Sequence, residues 1–189
     1  MSEEFDKIIR QFEEIDNLIS QIISEMEKKT KKTKFPIKIH NEHSEFKEEE
    51  DYGVVARYTE TVIEDYIISL NEITIKCIKM HDNSIVDELN VTLRIPLKPR
   101  IEIERLSKDV TKYIIHCNAE GYWAFVSSNK RYKKEYVGAE IEILTNGHYY
   151  FSLRDTRGAY NSFDNYHSYC SDKVYDALMK VLKHYLRTK

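Results

Sequence analysis

Glycine and proline are scarce in this chain, with five and three among 189 residues. Phosphate-cradling loops need clustered glycines where the backbone approaches the ligand. Gly53, Gly121, Gly138, Gly147 and Gly158 are all isolated, which excludes the GxGxxG and P-loop classes of nucleotide site. The three cysteines, Cys77, Cys117 and Cys170, lie far apart with no CxxC pair. That spacing argues against a disulfide framework and a zinc site, and for reduced thiols in a cytoplasmic protein. No apolar run approaches the roughly 20 residues that span a bilayer. The acidic start, Ser2, Glu3, Glu4 and Asp6, is the opposite of a signal peptide's basic opening. No membrane partner is therefore expected. A dominant charge is missing too: the net charge is −3, so no global field gathers nucleic acid, and any such binding needs a local patch. Neither HExxH nor GxSxG occurs, which weighs against an enzyme, and no cofactor or metal is implied.

What is present is apolar substance and an amphipathic opening. Hydrophobic residues make up 41% of the chain, enough for one folded domain or a domain with an appendage. The fourteen tyrosines, with abundant Ile and Lys, fit an AT-rich bacterial, phage or viral genome. From Glu4 to about Lys28, Phe5, Ile8, Phe12, Ile15, Ile19, Ile22 and Met26 recur at alternating steps of three and four. This is the heptad a/d rhythm of a coiled-coil-like helix, with polar residues between. A lone helix with such a stripe is marginal in water, so a second copy of the chain or the chain's own body must cover it. Ile9 and Ile23 at e positions and Leu18 at g widen the stripe beyond a two-stranded seam, which favours a helix packed in a bundle, or at once against a partner helix and a globular body.

Residues 28–34 form a lysine-rich run ended by Phe35-Pro36, and an acidic run follows from Glu42 to Asp51. Together, residues 29–51 read as a charged connector with a short strand at Ile37–Ile39. His40 and His43 are close in sequence, but a strand would point them apart. The expected body, 52–189, opens with strand composition at 52–59. Thr61-Val-Ile-Glu64 then matches a capping box, predicting a short helix through Val62, Ile63, Tyr66, Ile67 and Leu70, with a strand as the rival. Period-two segments follow around Ile73–Cys77, Leu89–Ile95, Ile101–Leu106, Tyr113–Cys117 and Tyr122–Ser127, the spacing of an antiparallel meander.

The hairpin around Asn146-Gly147 can be argued to its register. A two-residue loop would place Glu142 opposite Phe151, mixing acid and apolar groups on one face. A three-residue loop, Thr145-Asn146-Gly147, pairs Ile143 with Tyr149, Ile141 with Phe151 and Ala139 with Leu153, so only it separates core from solvent. A last helix begins at the expected N-cap Ser171 and aligns Val174, Leu178, Val181, Leu182 and Tyr185 on one face.

Three segments carry candidate function. Arg154 to Cys170 lacks a period of its own and reads as a long loop, a kind that is often functional. Its Arg154, Asp155, Arg157, Tyr160, Phe163, Tyr166 and His167 combine hydrogen-bonding groups with amphipathic aromatics, the composition of protein-interaction surfaces. The same loop could hold an acid/base set from Asp155, Asp164 and His167. Lys130, Arg131, Lys133 and Lys134, with Tyr122, Trp123, Phe125 and Tyr136 nearby, form the candidate nucleic-acid contact, together with residues 28–34. The expected architecture is α+β: an N-terminal helix (1–28), a connector (29–51), and a mostly antiparallel sheet closed by a C-terminal helix (52–189). The leading functional expectation is a non-enzymatic, self-associating accessory protein, regulatory or inhibitory, that presents its aromatic loop to a protein partner. A nucleic-acid-binding protein and an enzyme with its site in the loop 154–170 are the rivals.

Overall fold

The computed structural model describes residues 2–31, 34–164 and 168–187, the side chains of residues 27–31 and 164 excepted. The chain forms two compact units, Met1–Lys34 and Phe35–Lys189. The first is the helix α1 (Ser2–Lys31). Its apolar residues from Phe5 to Met26 each expose 41–66% of their surface.

The second unit is a nine-stranded antiparallel sheet with a closing helix, so the fold is α+β. Its strands are β1 (Ile37–Asp51), β2 (Val54–Ile68), β3 (Glu72–His81), β4 (Ser84–Arg94), β5 (Ile101–Arg105), β6 (Thr111–Ser127), β7 (Lys130–Leu144), β8 (Tyr149–Asp155) and β9 (Tyr160–Asp164). Strands adjacent in sequence pair in turn, except that β4 and β5 share one edge of the long β6. Pro96 and Pro99, which cannot donate to a ladder, lie in the break between those two strands. Two-residue turns at Tyr52-Gly53 and Ser128-Asn129 have positive φ at both positions, as type I′ hairpins require.

The three-residue hairpin is as argued from the pattern: Ile143 pairs with Tyr149, Ile141 with Phe151 and Ala139 with Leu153, and Gly147 sits at φ +97°. Three other expectations need correction. Residues 37–51 are no connector but a full-length edge strand, paired with β2 along their whole course. Its acids are held across the hairpin: Arg57 Nε donates to Glu48 (3.1 Å), Tyr58 OH to Glu49 (2.7 Å), and Lys47 Nζ lies 3.1 Å from Glu60. The capping-box segment is strand, not helix. Val62, Glu64, Tyr66 and Ile68 point inward, and the β-branched run satisfies its backbone by pairing with both β1 and β3. The segments 113–117 and 122–127 are one strand, bent at a bulge between Asn118 and Gly121. At Gly121, φ is +134° and a Cβ would come within 2.1 Å of the Asn90 carbonyl oxygen, so only glycine fits.

Helix α2 (Ser171–Arg187) lies on the inward face, burying Val174, Ala177, Leu178, Val181, Leu182 and Tyr185. The first helical bond runs from Val174 N–H to the Cys170 carbonyl, so Cys170 rather than Ser171 holds the N-cap position. Two phenols fasten the helix to the sheet, one at the end of β7 and one at the turn between β2 and β3. Tyr175 OH donates to the Leu144 carbonyl (2.6 Å), and Tyr185 OH donates to that of Leu70.

Candidate functional site

Inward positions of β2, β3, β4, β6, β8 and β9 surround a cavity of about 340 Å³. It lies where the residues preceding α2 cross the sheet: the Tyr169 N–H donates to Glu64 Oε2 (3.0 Å), and the Tyr169 ring stacks on His43 at 3.9 Å. The alternation of β2 places Val62, Glu64 and Tyr66 on its wall, and β3 and β4 add Ile75, Cys77, Asp87 and Leu89. The sheet curls enough for Phe163 of β9 to meet Trp123 of β6 edge-on, with ring centroids 5.4 Å apart. Phe151, Tyr149 and Ser162 complete that side.

Polar groups in this lining are few and mostly engaged. Glu64 is 2% exposed, and its other oxygen accepts from Tyr66 OH at 3.0 Å. Trp123 Nε1 donates to Asp87 at 2.8 Å. Burial raises the Asp87 carboxyl above its ordinary value, against the opposing hydrogen bond from Trp123 and the charge of Lys79. Burial also pushes the Cys77 thiol up to about 12, so it is a neutral wall group at physiological pH and no nucleophile. The Tyr149 hydroxyl is fully buried and makes no hydrogen bond of normal geometry among the described residues. Ser168 stands near enough to act on the phenol as a long hydrogen-bond partner, while its oxygen accepts from the Cys170 N–H (3.2 Å) and lies 3.6 Å from the Cys170 thiol.

A second, more open groove of about 460 Å³ gathers Phe125, Tyr132, Lys133, Lys134, Glu135, Asp155, Thr156 and Arg157. It lies where β8 ends against Tyr136, leaving that edge of β7 from Lys130 to Glu135 without a strand neighbour among the described residues. An aromatic row links the two hollows, because Trp123 contacts Phe125 (4.4 Å) and Phe125 stacks on Tyr132 (5.5 Å).

The candidate residues fall out differently from their order in sequence. Residues 154–164 are not an irregular loop but the end of β8, a turn, and β9. Asp155 is buried, and its Oδ1 accepts from the backbone N–H of Arg157 (2.8 Å) and Ala159 (3.0 Å), so it holds the turn rather than offering a free carboxylate. Arg154 and Tyr160 are exposed, and the Arg154 guanidinium lies against Gly138, where a Cβ would come within 2.7 Å of it. Arg157 lines the open groove, and Phe163 lines the cavity. Tyr166 and His167 lie outside the described residues, as do the side chains of residues 28–31 and the whole of residues 32 and 33.

The basic run is part of β7, so its side chains alternate between the two faces of that strand. Arg131 pairs with Glu88 (3.5 Å), Lys133 lies over the Tyr122 ring (4.6 Å) and beside Glu135 (3.7 Å), and Lys134 lies over Trp123 (5.8 Å). Lys133, Lys134 and Arg157 reach one groove, where Glu135 and Asp155 oppose them. His40 and His43 point to opposite sides of β1. His40 pairs with Asp65 (2.5 Å), whose hydrogen bond raises its pKa, and among the described residues no cluster of His, Cys, Asp or Glu could hold a metal. Among the same residues no helix is long and apolar enough to cross a membrane.

The cavity was not anticipated from the sequence. Its one legible signal is an acid at an inward position of an otherwise apolar alternation, Val62-x-Glu64-x-Tyr66-x-Ile68. No protein family, curated protein or solved structure gives a significant match to this chain.

Proposed function

We propose that this protein is a non-enzymatic interaction protein that self-associates through α1 and offers its β-sheet body to a protein partner as a regulatory or inhibitory accessory factor. One observation carries the reading: ten large apolar residues along α1 expose 41–66% of their surface. A contiguous apolar stripe of this kind on a helix of about 45 Å marks an interaction surface.

A second copy of α1 is the occupant best matched in pattern and charge. The heptad rhythm of Phe5, Ile8, Phe12, Ile15, Ile19, Ile22 and Met26 is self-complementary. Glu3, Glu4, Asp6, Glu13, Glu14 and Asp16 outnumber Lys7 and Arg10 in the first half of the helix, and Lys28, Lys29 and Lys31 outnumber Glu25 and Glu27 in the second. An antiparallel pairing sets acid against base at both ends, whereas a parallel one sets like against like. Joining two copies also doubles any surface on the body, adding avidity without new contacts. On that body, the exposed Arg154, Arg157 and Tyr160 near the β8–β9 turn supply the partner-facing groups.

The test is the solution mass of the full chain by sedimentation equilibrium, alone and with Ile15→Glu plus Ile19→Glu. The expected result is a concentration-dependent oligomer that the double variant reduces to monomer. A wild-type chain that is monomeric at high micromolar concentration sinks the proposal. The nucleic-acid rival is decided separately: salt-sensitive binding of single-stranded RNA or DNA that Lys133→Glu and Lys134→Glu abolish would favour it.

A further inference from the structure

We infer that the cavity beneath β9 is a binding site for a small organic ammonium ion, a protonated primary amine on an aromatic or aliphatic body, held by Glu64. The inference rests on the cavity alone and stands or falls independently of association through α1.

Buried carboxylates in proteins are paired with cations or metals, because leaving water unaccompanied is costly. Glu64 is 2% exposed and forms no ion pair among the described residues. Among the described residues its oxygens accept from neutral donors, Tyr66 OH and the Tyr169 N–H, with the Cys170 thiol also in reach. The start of α2 lies close by, but a helix N-terminus carries only about half an elementary charge, which leaves much of the carboxylate uncompensated. Lys79, the cation in the lining, acts on Asp87 and Glu60 instead, standing opposite Asp87 across the β3–β4 ladder.

The second, independent observation is the Tyr149 hydroxyl. It is 1% exposed, lines the same cavity and, among the described residues, makes no hydrogen bond of normal geometry, Ser168 being its one nearby hydroxyl. A phenol oxygen able to accept, in the same cavity as a carboxylate that no cation pairs among the described residues, is an arrangement of acceptors suited to a group with several N–H donors. The remaining wall supports the same choice. Trp123, Phe151, Phe163, Tyr66 and Tyr149 present aromatic surface, which attracts cations through the ring quadrupole and also accommodates an apolar body. An anionic ligand would meet two carboxyl groups, Glu64 and Asp87, against the single cation Lys79 already opposite Asp87, so charge disfavours fatty acids and phosphates. The volume, about 340 Å³, sits at the small end of the range for small-molecule sites, about 300–1,000 Å³.

Trp123 is the only tryptophan of the chain and part of the wall, so its fluorescence reports occupancy directly. Full-length protein is titrated with benzylamine and 2-phenylethylamine, with benzyl alcohol and 3-phenylpropionate as the neutral and anionic counterparts. The expected result is a saturable change in Trp123 emission with an amine, weakened about tenfold or more by Glu64→Gln, and no saturation with either counterpart over the same range. Equal binding of the alcohol, amine binding that Glu64→Gln leaves unchanged, or no saturation with either amine overturns the inference. Should Glu64→Gln fail the thermal-melt check for folding, Tyr149→Phe decides, since among the described residues that hydroxyl makes no hydrogen bond of normal geometry. A several-fold weaker amine affinity supports the site, and an unchanged one overturns it.

Discussion

Helices α1 and α2 are written in much the same language and treated in opposite ways. Both are amphipathic, with Ile, Leu, Val, Met or aromatic residues at steps of three and four. Yet Ile15, Leu18 and Ile19 of α1 expose about half of their surfaces, while Val174, Leu178, Val181 and Leu182 of α2 expose 1% or less. The pattern specifies that a face must be covered without specifying by what. For α2 the cover is the concave face of the sheet, with Tyr175 and Tyr185 fastening it in place. For α1 the cover proposed above is another copy of α1. The energy of the α2 stripe belongs to folding; on the proposal above, that of the α1 stripe would belong to association.

The sharpest way to break this comparison is to truncate one residue of each helix. Leu178→Ala is expected to lower the stability of the body by about 2–5 kcal/mol, because the close-packed site cannot collapse around the void. Leu18→Ala, the same chemical change on α1, should stay within about 0.5 kcal/mol at concentrations where the chain is monomeric. Urea unfolding followed by Trp123 emission measures both, and equal losses would mean that the helices do not differ in kind. The next effect concerns the curve of the sheet on which α2 rests. Gly121→Ala must move backbone at the closest approach of β6 to β4 and adopt an unfavourable φ, an expected loss of about 1–3 kcal/mol in the same assay. A neutral result would show that the bulge yields freely.

The smallest effect is a pH dependence that should belong to the body and not to α1. Burial raises the Glu60 carboxyl, but the Lys47 hydrogen bond and the charges of Lys79, Lys47 and His81 outweigh it, leaving its pKa lowered. A depressed carboxyl contributes stability that is present above its unfolded value, about 4.3, and lost as pH falls through its lower folded value. Acid unfolding of the body should therefore lose part of its steepness below about pH 4.3 in Glu60→Gln, whereas its profile near pH 7 should stay flat. An unchanged acid limb would show that the Lys47–Glu60 pair is a surface contact of no consequence.

Legibility in the sequence followed burial contrast. The hairpin at Thr145–Gly147 could be placed to the residue because β7 and β8 have one clean apolar face, so a slip of one residue would have exposed it. β1 could not be seen for the converse reason. Beyond Ile39 its inward positions are Asn41, His43, Glu45 and Lys47, and its stability comes from partners on β2 that no local pattern displays. The basic run at 130–134 looked like one patch in sequence and became two faces of a strand, with three of its cations answered by Glu88, Glu135 or aromatic rings. Asp155, read as a candidate site residue, has its carboxylate turned to the backbone of its own turn.

The sequence by itself determined the class of the fold, the heptad stripe of α1, the buried face of α2 and the register of one hairpin. Each follows from local periodicity acting on the burial of apolar surface. Only the tertiary structure decided that Glu64 of β2, Trp123 of β6, Tyr149 of β8 and Phe163 of β9 would surround a single cavity. That meeting depends on how far the sheet curls, and the curl is set by bulges and close backbone approaches at Gly121 and beside Gly138, where no residue announces its distant partner.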